Sequence, residues 1–132
     1  MLTKQDFEKL EEVNYSLLNC YEGFFYVATP FANLPREEAM DIAAYTVFNL
    51  LKNNVFVWSP ILHTSSMDDH CVFKNNDLNW GHSDYLKYDS SLMSKSVGAI
   101  FVNTKASRNS TGMFAEYKYF KQANKPMFKY TL

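Results

Sequence analysis

The chain has 132 residues, of which 47% are hydrophobic and 17% aromatic, and its formal net charge at pH 7 is −1. A chain of this length predicts one domain with a single packed core. Because the charge is nearly balanced and no long basic run is present, polymeric nucleic acid is excluded as an expected partner.

Cysteine usage and hydropathy exclude two further classes, disulfide scaffolds and membrane-spanning proteins. Cys20 and Cys71 match neither a metal-binding spacing nor a CxxC motif, so we interpret them as free thiols in a reducing compartment. No apolar run approaches the roughly 20 residues of a membrane span, and the charged, amphipathic start does not resemble a signal peptide. We therefore expect a cytoplasmic protein without a membrane partner.

The first part of the chain predicts a helix and then a strand. From Thr3 to Cys20, apolar residues recur at helical spacing, and Asp6 completes a capping box with Thr3. The continuous apolar run Gly23–Thr29 is typical of a strand that is buried on both faces, and Pro30 ends it.

The middle of the chain predicts a second helix, a second strand and a long loop. Pro35 is well placed in a first helical turn, and Asn53-Asn54 ends the helix. Val55–Trp58 is a short apolar strand, and the polar stretch Ile61–Asn79 is interpreted as an irregular loop that is functional or mobile. The expected buried stripe of the second helix consists of Met40, Ala43, Ala44, Val47, Phe48 and Leu51.

The last part of the chain predicts two more helices, each followed by a strand. The helices are Trp80–Ser94 and Ser110–Ala123, and the strands are Val97–Asn103 and Pro126–Tyr130. This alternation indicates parallel β-α-β units and a doubly wound α/β sandwich, flavodoxin-like or Rossmann-like, with about four strands in the order 2-1-3-4. We assign residues 23–132 to this domain and residues 1–22 to an extra N-terminal helix, a candidate for a subunit interface.

Two or three carboxylates are candidates for chemistry. The carboxyl ends of the strands meet at one edge of such a sheet, where open α/β folds bind ligands. Glu116 lies about one turn inside the last helix, and the preceding helix adds Asp84 and Asp89. Two carboxylates beside a bound sugar can divide the roles of acid and nucleophile, with pKa values pushed apart by their surroundings. The alternative is that these are ordinary solvated or backbone-bonded carboxylates.

A Ser-Thr-Gly turn opens the same helix as Glu116. Ser110, Thr111 and Gly112 would present backbone N–H groups and hydroxyls to a phosphate, with Arg108 as a charge partner. The alternative is that Ser110 or Thr111 is an ordinary N-cap, and the two interpretations are compatible.

Aromatic and imidazole side chains supply further candidates. His63 is a candidate polar ligand for a substrate, although a lone loop histidine is more often solvated. Trp80 and Phe31 could sandwich a base, and core packing is the alternative for both. His70 and His82 show no zinc-like spacing with a cysteine, so neither receives a role.

On these residues, the chain resembles the nucleoside 2-deoxyribosyltransferase-like superfamily over about residues 23–130. Asn124 stands where that family often has Gly. Ser59–His63, followed by Trp80, is similar to a small branch of bacterial and phage proteins. The stretches that carry the likeness, by their order and spacing, are Phe25–Phe31, Asp89–Val97, Ser110–Glu116 and Ala123–Pro126.

The resemblance implies roles for five residues. Glu116 falls on the family's catalytic glutamate, which attacks or stabilises the anomeric carbon. Asp89 falls on the acid that helps the base to leave, and Tyr26 falls on the aromatic residue that positions the glutamate. Ser110 falls where the classical transferases carry an acidic residue. A hydroxyl there, beside Arg108, resembles the nucleoside-monophosphate hydrolase branch, because loss of a carboxylate removes repulsion toward a 5′-phosphate.

The implied function is cleavage or transfer at the N-glycosidic bond of a nucleoside or nucleoside 5′-monophosphate, without a metal or organic cofactor, by a homo-oligomer. Water and a second base stay open as acceptors. The alternative is a non-catalytic pocket for nucleotides or ADP-ribose-like signals, and phosphoryl transfer is disfavoured because no G-x-x-x-x-G-K-[ST] loop is present. The expected substrate-binding residues are Pro30, Phe31, His63, Trp80, Arg108, Asn109, Ser110, Thr111, Gly112 and Met113.

Overall fold

The computed structural model describes residues 1–68 and 79–132. The strands are β1 (Glu11–Glu12), β2 (Phe25–Ala28), β3 (Val57–Trp58), β4 (Gly98–Asn103) and β5 (Met127–Thr131). They form one parallel sheet in the order β1-β5-β4-β2-β3. The helices are α1 (Lys4–Lys9), α2 (Tyr15–Leu18), α3 (Arg36–Lys52), α4 (Pro60–Asp68), α5 (His82–Lys95) and α6 (Thr111–Gln122), with a 3-10 turn at Ala106–Asn109.

Side-chain alternation along the strands divides the core into two layers. Tyr26 of β2 and Phe101 of β4 pack on the side of α1, α5 and α6, whereas Phe25 and Ile100 pack on the side of α2 and α3. Every residue of β2 is buried, as expected for a strand covered on both faces. The predicted doubly wound α/β fold is therefore confirmed, and the four predicted strands have the predicted order. The fifth strand, β1, lies outside β5.

The prediction of one helix from Thr3 to Cys20 is wrong. Helix α1 ends at Lys9, since Leu10 has extended backbone. The chain then pairs β1 with β5, and the Thr131 N–H donates to Glu12 Oε1 at 3.0 Å. A free strand edge offers backbone hydrogen bonds that apolar spacing alone does not reveal.

The N-terminal segment belongs to the same core as the rest of the chain. Leu2 and Phe7 pack with the α5 and α6 layer, and Leu18 packs with the α3 layer, each only 2% exposed. The predicted capping box is confirmed, because the Thr3 N–H donates to Asp6 at 2.7 Å and the Asp6 N–H donates to the Thr3 hydroxyl at 3.1 Å. Residues 1–22 therefore complete the sheet and do not stand apart from it.

The buried face of α3 differs from the predicted stripe. Ala43 is buried as expected, but Ala44 is exposed, and Phe48 and Leu51 are 64% and 46% exposed. Small residues permit close approach of the helix to the sheet, so the larger side chains point outward. The residues of α3 that face the sheet are Ala39, Ala43, Thr46 and Leu50.

The predicted loop Ile61–Asn79 begins as a helix. Residues 60–68 form α4, in which the Ser59 hydroxyl accepts from the Leu62 N–H at 3.3 Å. The rest of that stretch, including His70 and Cys71, lies outside the described residues. None of the helices described is long and apolar enough to span a bilayer.

The end of α5 is held against the start of β5. The Lys125 ammonium donates to the carbonyls of Met93, Ser94 and Ser96 at 2.7–2.8 Å, and so caps α5. Asn124 adopts φ 55°, a left-handed conformation that both Asn and Gly favour. The replacement of Gly by Asn at this position is therefore compatible with the turn.

Candidate active site

Three of the predicted site residues meet on one face of the sheet. Tyr26 is the second residue of β2 and faces α5 and α6. Asp89 lies in the middle of α5, and Glu116 lies in the second turn of α6. Asp89 raises the pKa of both other groups, and Tyr26 and Glu116 shift the pKa of each other. The three side chains are therefore close enough to act as one electrostatic unit.

The topology of the sheet explains this meeting point. From β2 the chain crosses to β3 on one side, whereas β4 pairs with β2 on its other side. Between β2 and β4 the chain thus changes direction, and open α/β sheets bind ligands in the crevice at such a point. Tyr26 contributes from β2, and Glu116 contributes from the helix that follows β4.

Burial is the main determinant of the protonation state of Glu116. Protein atoms surround its carboxyl group, although the residue keeps a small accessible surface. Burial is the main cause that raises the pKa of Glu116 to about 8; the Tyr26 hydroxyl opposes the shift, and the negative charge of Asp89 adds to it. Glu116 is consequently protonated in most molecules at pH 7.

Asp89 titrates at lower pH than Glu116. Partial burial raises the pKa of Asp89 to about 6, so this carboxyl is mostly ionised at pH 7. No basic side chain in the described part of the chain contributes to the pKa shift of either carboxyl. Between about pH 6 and pH 8 the pair therefore holds one proton and one negative charge, with the proton on Glu116.

Tyr26 supplies a buried hydroxyl to this pair. Burial raises its pKa strongly, and the neighbouring carboxyls Glu116 and Asp89 add to the shift, so Tyr26 stays protonated. Its hydroxyl lowers the pKa of Glu116 as a hydrogen-bond donor would, but no described residue meets the full geometry of a hydrogen bond with it. The side chain is thus a donor that lies beside Glu116 and remains available.

Four buried side-chain polar atoms of the described residues lack a hydrogen-bond partner. All belong to strands β2 and β4 or to residues that follow the carboxyl ends of these strands. They are the Tyr26 hydroxyl, Thr29 Oγ1, Asn103 Oδ1 and Arg108 Nε. Buried polar atoms are nearly always paired, so these groups are available to a bound molecule. The sequence did not identify Thr29 or Asn103, although each lies at the carboxyl end of an apolar run.

The start of α6 combines a cap with an open surface. The Ser110 hydroxyl accepts from the Met113 N–H at 3.2 Å, so the predicted N-cap is present. Thr111 and Gly112 are exposed, and as first-turn residues their N–H groups have no partner within the helix. The Met113 side chain is fully buried in the core, which leaves it no surface for the expected substrate contact.

An aromatic wall, formed by Trp58, His63, Tyr88 and Trp80, lies next to Asp89. The His63 ring lies 5.2 Å from Trp58 and 6.2 Å from Tyr88, with which it stacks. The Trp80 ring lies 5.7 Å from Tyr88, and Asp89 raises the pKa of Tyr88. The sequence predicted His63 and Trp80 but missed Tyr88, which connects them, and Trp58, which contacts His63. Tyr88 directly precedes Asp89, and Trp58 ends β3, and both positions could have indicated a role.

Other predicted residues lie apart from this group. Asp84 is exposed and accepts from the Gly81 N–H at 2.9 Å, so it caps α5 and is not directed to the crevice. Pro30 is buried and Phe31 partly buried, and no ring contact pairs Phe31 with Trp80 among the described residues. The sandwich of a base between these two rings stays a prediction, because rings that enclose a base do not contact each other.

Two cavities lined by described residues do not include the carboxyl pair in their linings. A cavity of about 470 Å³ lies between α3 and the turn after β4, and Asn109 is the only predicted site residue in its lining. A smaller one, of about 250 Å³, reaches the aromatic wall at Trp58 and His63. We place the site at the carboxyls because their pKa values are shifted and the unpaired Tyr26 hydroxyl lies beside Glu116.

Comparison with protein-family models and with curated proteins gives no match for this chain. Within residues 1–68 and 79–132, no group of three or more His, Cys, Asp or Glu side chains is arranged to hold a metal ion. The chemistry of the site therefore has to be inferred from the carboxyl pair and its neighbours.

Proposed function

We propose that this protein catalyses cleavage or transfer at the N-glycosidic bond of a nucleoside or nucleoside 5′-monophosphate. The observation that carries the proposal is the coupled pair of buried carboxyls, Glu116 and Asp89, beside the Tyr26 hydroxyl. Such a pair can place one negative charge and one proton on opposite sides of a single bond. The resemblance to the nucleoside 2-deoxyribosyltransferase-like superfamily assigns the same three residues.

The charge of the pair suits the transition state. When the bond between sugar and base breaks, positive charge develops on the anomeric carbon. A carboxylate with no fixed cation beside it stabilises that charge more than it stabilises the neutral substrate, which is the condition for catalysis. Glu116 is the carboxyl that lies closest to the buried donor Tyr26, and we assign it this role.

The resting proton lies on Glu116, so it has to move to Asp89 as the bond breaks. A unit positive charge at about 4 Å is worth about 4 kcal/mol at an effective dielectric constant near 20. That energy corresponds to roughly three pKa units, enough to ionise Glu116 and to leave the proton on Asp89. Development of the sugar cation and protonation of Asp89 are thus coupled.

The carboxyl pair then holds the same number of protons before and after one turnover. Asp89 gives its proton to the leaving base as the C–N bond breaks, and the Glu116 carboxylate stabilises or bonds to the anomeric carbon. Water or a second base adds to that carbon, and the proton that it releases returns to Asp89. The products are the free base and the sugar that carries the acceptor.

The start of α6 lies where the 5′ end of such a substrate would reach. Gly112 precedes Glu116 by four residues, so the two lie on the same helix face about 6 Å apart along the axis. The exposed N–H groups of Thr111 and Gly112 can accept an anion at the positive end of the helix, and Arg108 adds a charge nearby. This arrangement favours a nucleoside 5′-monophosphate over a nucleoside.

The aromatic wall would hold the base. Its rings extend from Tyr88, the neighbour of Asp89 in the chain, to Trp58 of β3, so we expect a base that takes its proton from Asp89 to stack on them. Stacking on such rings binds every base to a similar degree, because each base has a π-face. The aromatic wall would therefore bind nucleobases in general and not one particular base.

The test is release of free base from a panel of nucleosides and nucleoside 5′-monophosphates. We expect release by the natural chain, and a loss of at least about a hundredfold in Glu116→Gln. Glu37→Gln, an exposed change in the first turn of α3, is the matched control and should release base at the natural rate. Nucleotide binding without any product would support the non-catalytic pocket instead, and unchanged release in Glu116→Gln would remove Glu116 from the mechanism.

A further inference from the structure

The outer face of α3 carries an apolar surface that nothing in the described chain covers. Tyr45 and Phe48 are 60% and 64% exposed, and they lie on the side of the helix opposite its buried residues. Leu51 adds an exposed side chain one turn further on, and Phe56, just before the edge strand β3, is exposed as well. Monomeric proteins rarely expose several large apolar side chains on one contiguous face, so this face is expected to bind a partner.

The charged residues on this face lie at equal distances on either side of the two aromatic residues, with opposite signs, and we call this arrangement the reversed repeat. Asp41 precedes Tyr45 by four residues, and Lys52 follows Phe48 by four residues. All four side chains are exposed, and the helical period places them on one stripe along the outside of α3. An acidic end, two aromatic rings and a basic end therefore follow each other along the helix axis.

We propose that α3 packs antiparallel against α3 of a second copy of this chain, about a two-fold axis between Tyr45 and Phe48. In that arrangement Asp41 of each copy faces Lys52 of the other, and Tyr45 of each copy faces Phe48 of the other. A two-fold interface requires a surface that is complementary to itself, and this stripe has that property in the order of its charges and rings. An unrelated partner would not require the reversed repeat.

The proposed dimer leaves the carboxyl pair accessible. Helix α3 packs on the face of the sheet with Phe25 and Ile100, whereas Glu116 and Asp89 lie on the face with Tyr26. The inference is therefore independent of the proposed function, and failure of one does not affect the other. It also moves the expected subunit interface from residues 1–22 to α3.

The first measurement is the mass of the full chain in solution, by light scattering or sedimentation. We expect a dimer for the natural chain and a monomer for Phe48→Asp, with circular dichroism unchanged because Phe48 is exposed. Leu86→Asp is the control, because Leu86 is a comparably apolar side chain, 46% exposed, on α5. It should stay dimeric. A natural chain that is monomeric over its range of solubility, or a Phe48→Asp dimer, would overturn the proposal.

Charge reversal tests the register of the two helices. Asp41→Lys and Lys52→Asp should each weaken the dimer at least tenfold at low salt, because each change puts like charges opposite one another. The double variant Asp41→Lys/Lys52→Asp restores opposite charges, so we expect its dissociation constant to return to within about threefold of the natural value. A double variant that is as weak as the sum of the single changes would contradict the antiparallel register.

Discussion

At the scale of single residues, the most informative group is a carboxyl that is held protonated at neutral pH. Glu116 has a pKa near 8 because it is buried and because Asp89 lies near it. In the unfolded chain the same group would titrate at its ordinary pKa of about 4.5. The site therefore stores unfavourable electrostatic free energy above neutral pH, as functional sites commonly do.

The first prediction concerns the pH dependence of stability. A raised folded-state pKa contributes stability below pH 4.5 that is lost as the pH rises through about 8. Glu116→Gln removes this titration, so the variant should gain stability relative to the natural chain by a few kcal/mol above pH 8, on the order expected for a shift of this size. Urea unfolding at acidic and alkaline pH measures the difference, with Glu37→Gln as the exposed control. A difference that does not grow with pH would contradict the raised pKa.

Part of this site was predictable from the sequence and part was not. Glu116 follows a strand and a Ser-Thr-Gly turn, and that order places it at the ligand-binding edge of the sheet. Trp58, Tyr88 and Asn103 were missed, because a position at the end of a strand or next to Asp89 does not by itself show which distant elements pack against it. Burial of the Met113 side chain was also unpredictable, since exposed and buried residues alternate within the first turn of α6, where Thr111 and Gly112 are exposed.

At the scale of elements, strands were predicted better than helices. Strands β2 and β4 are short, mainly apolar runs bounded by turn residues, and such runs indicate buried strands, whereas β1 consists of Glu11 and Glu12 and gave no such signal. Helix α4 was missed because its sequence is rich in Thr and Ser, which are poor helix formers, and the hydroxyls of Thr64 and Ser66 bond to carbonyls four residues earlier. The stripe of α3 was wrong because apolar spacing does not tell which apolar face meets the sheet.

The second prediction concerns the end of α5, the helix that carries Asp89. Lys125→Met keeps the length of the side chain but removes the three bonds to the last carbonyls of the helix. We expect a loss of about 1–3 kcal/mol in the free energy of unfolding, as for a cap with charge-assisted bonds. Denaturant midpoints measure it. Lys121→Met, an exposed change on α6, is the control, and equal midpoints for both variants would show that Lys125 is no cap.

At the scale of the whole molecule, the N-terminal residues and the sheet fold as one unit. β1 extends the sheet at β5, and the Lys129 ammonium donates to the Phe7 carbonyl at 3.0 Å. The sequence could not show this, because the contact joins the two ends of the chain. The apolar spacing that predicts a helix in residues 3–20 arises from side chains that face two different layers of the core.

The third prediction compares two leucines of that segment. Leu2 is 2% exposed and Leu17 is 46% exposed. Leu2→Ala should cost about 2–4 kcal/mol through lost burial and a cavity, whereas Leu17→Ala should cost less than about 0.5 kcal/mol. A single unfolding transition by fluorescence and circular dichroism, displaced in Leu2→Ala, is the expected result. Two variants of equal stability would mean that the segment is separate from the core.

The most direct test of the central claim, that Glu116 and Asp89 share one proton while they act on a nucleotide, is the pH profile of kcat/KM for base release. Only the singly protonated pair is active in the proposed mechanism. We therefore expect a bell-shaped profile that rises near pH 6 and falls near pH 8, the values at which Asp89 and Glu116 titrate. A rate that continues to rise above pH 8, or that is independent of pH across this range, would contradict it.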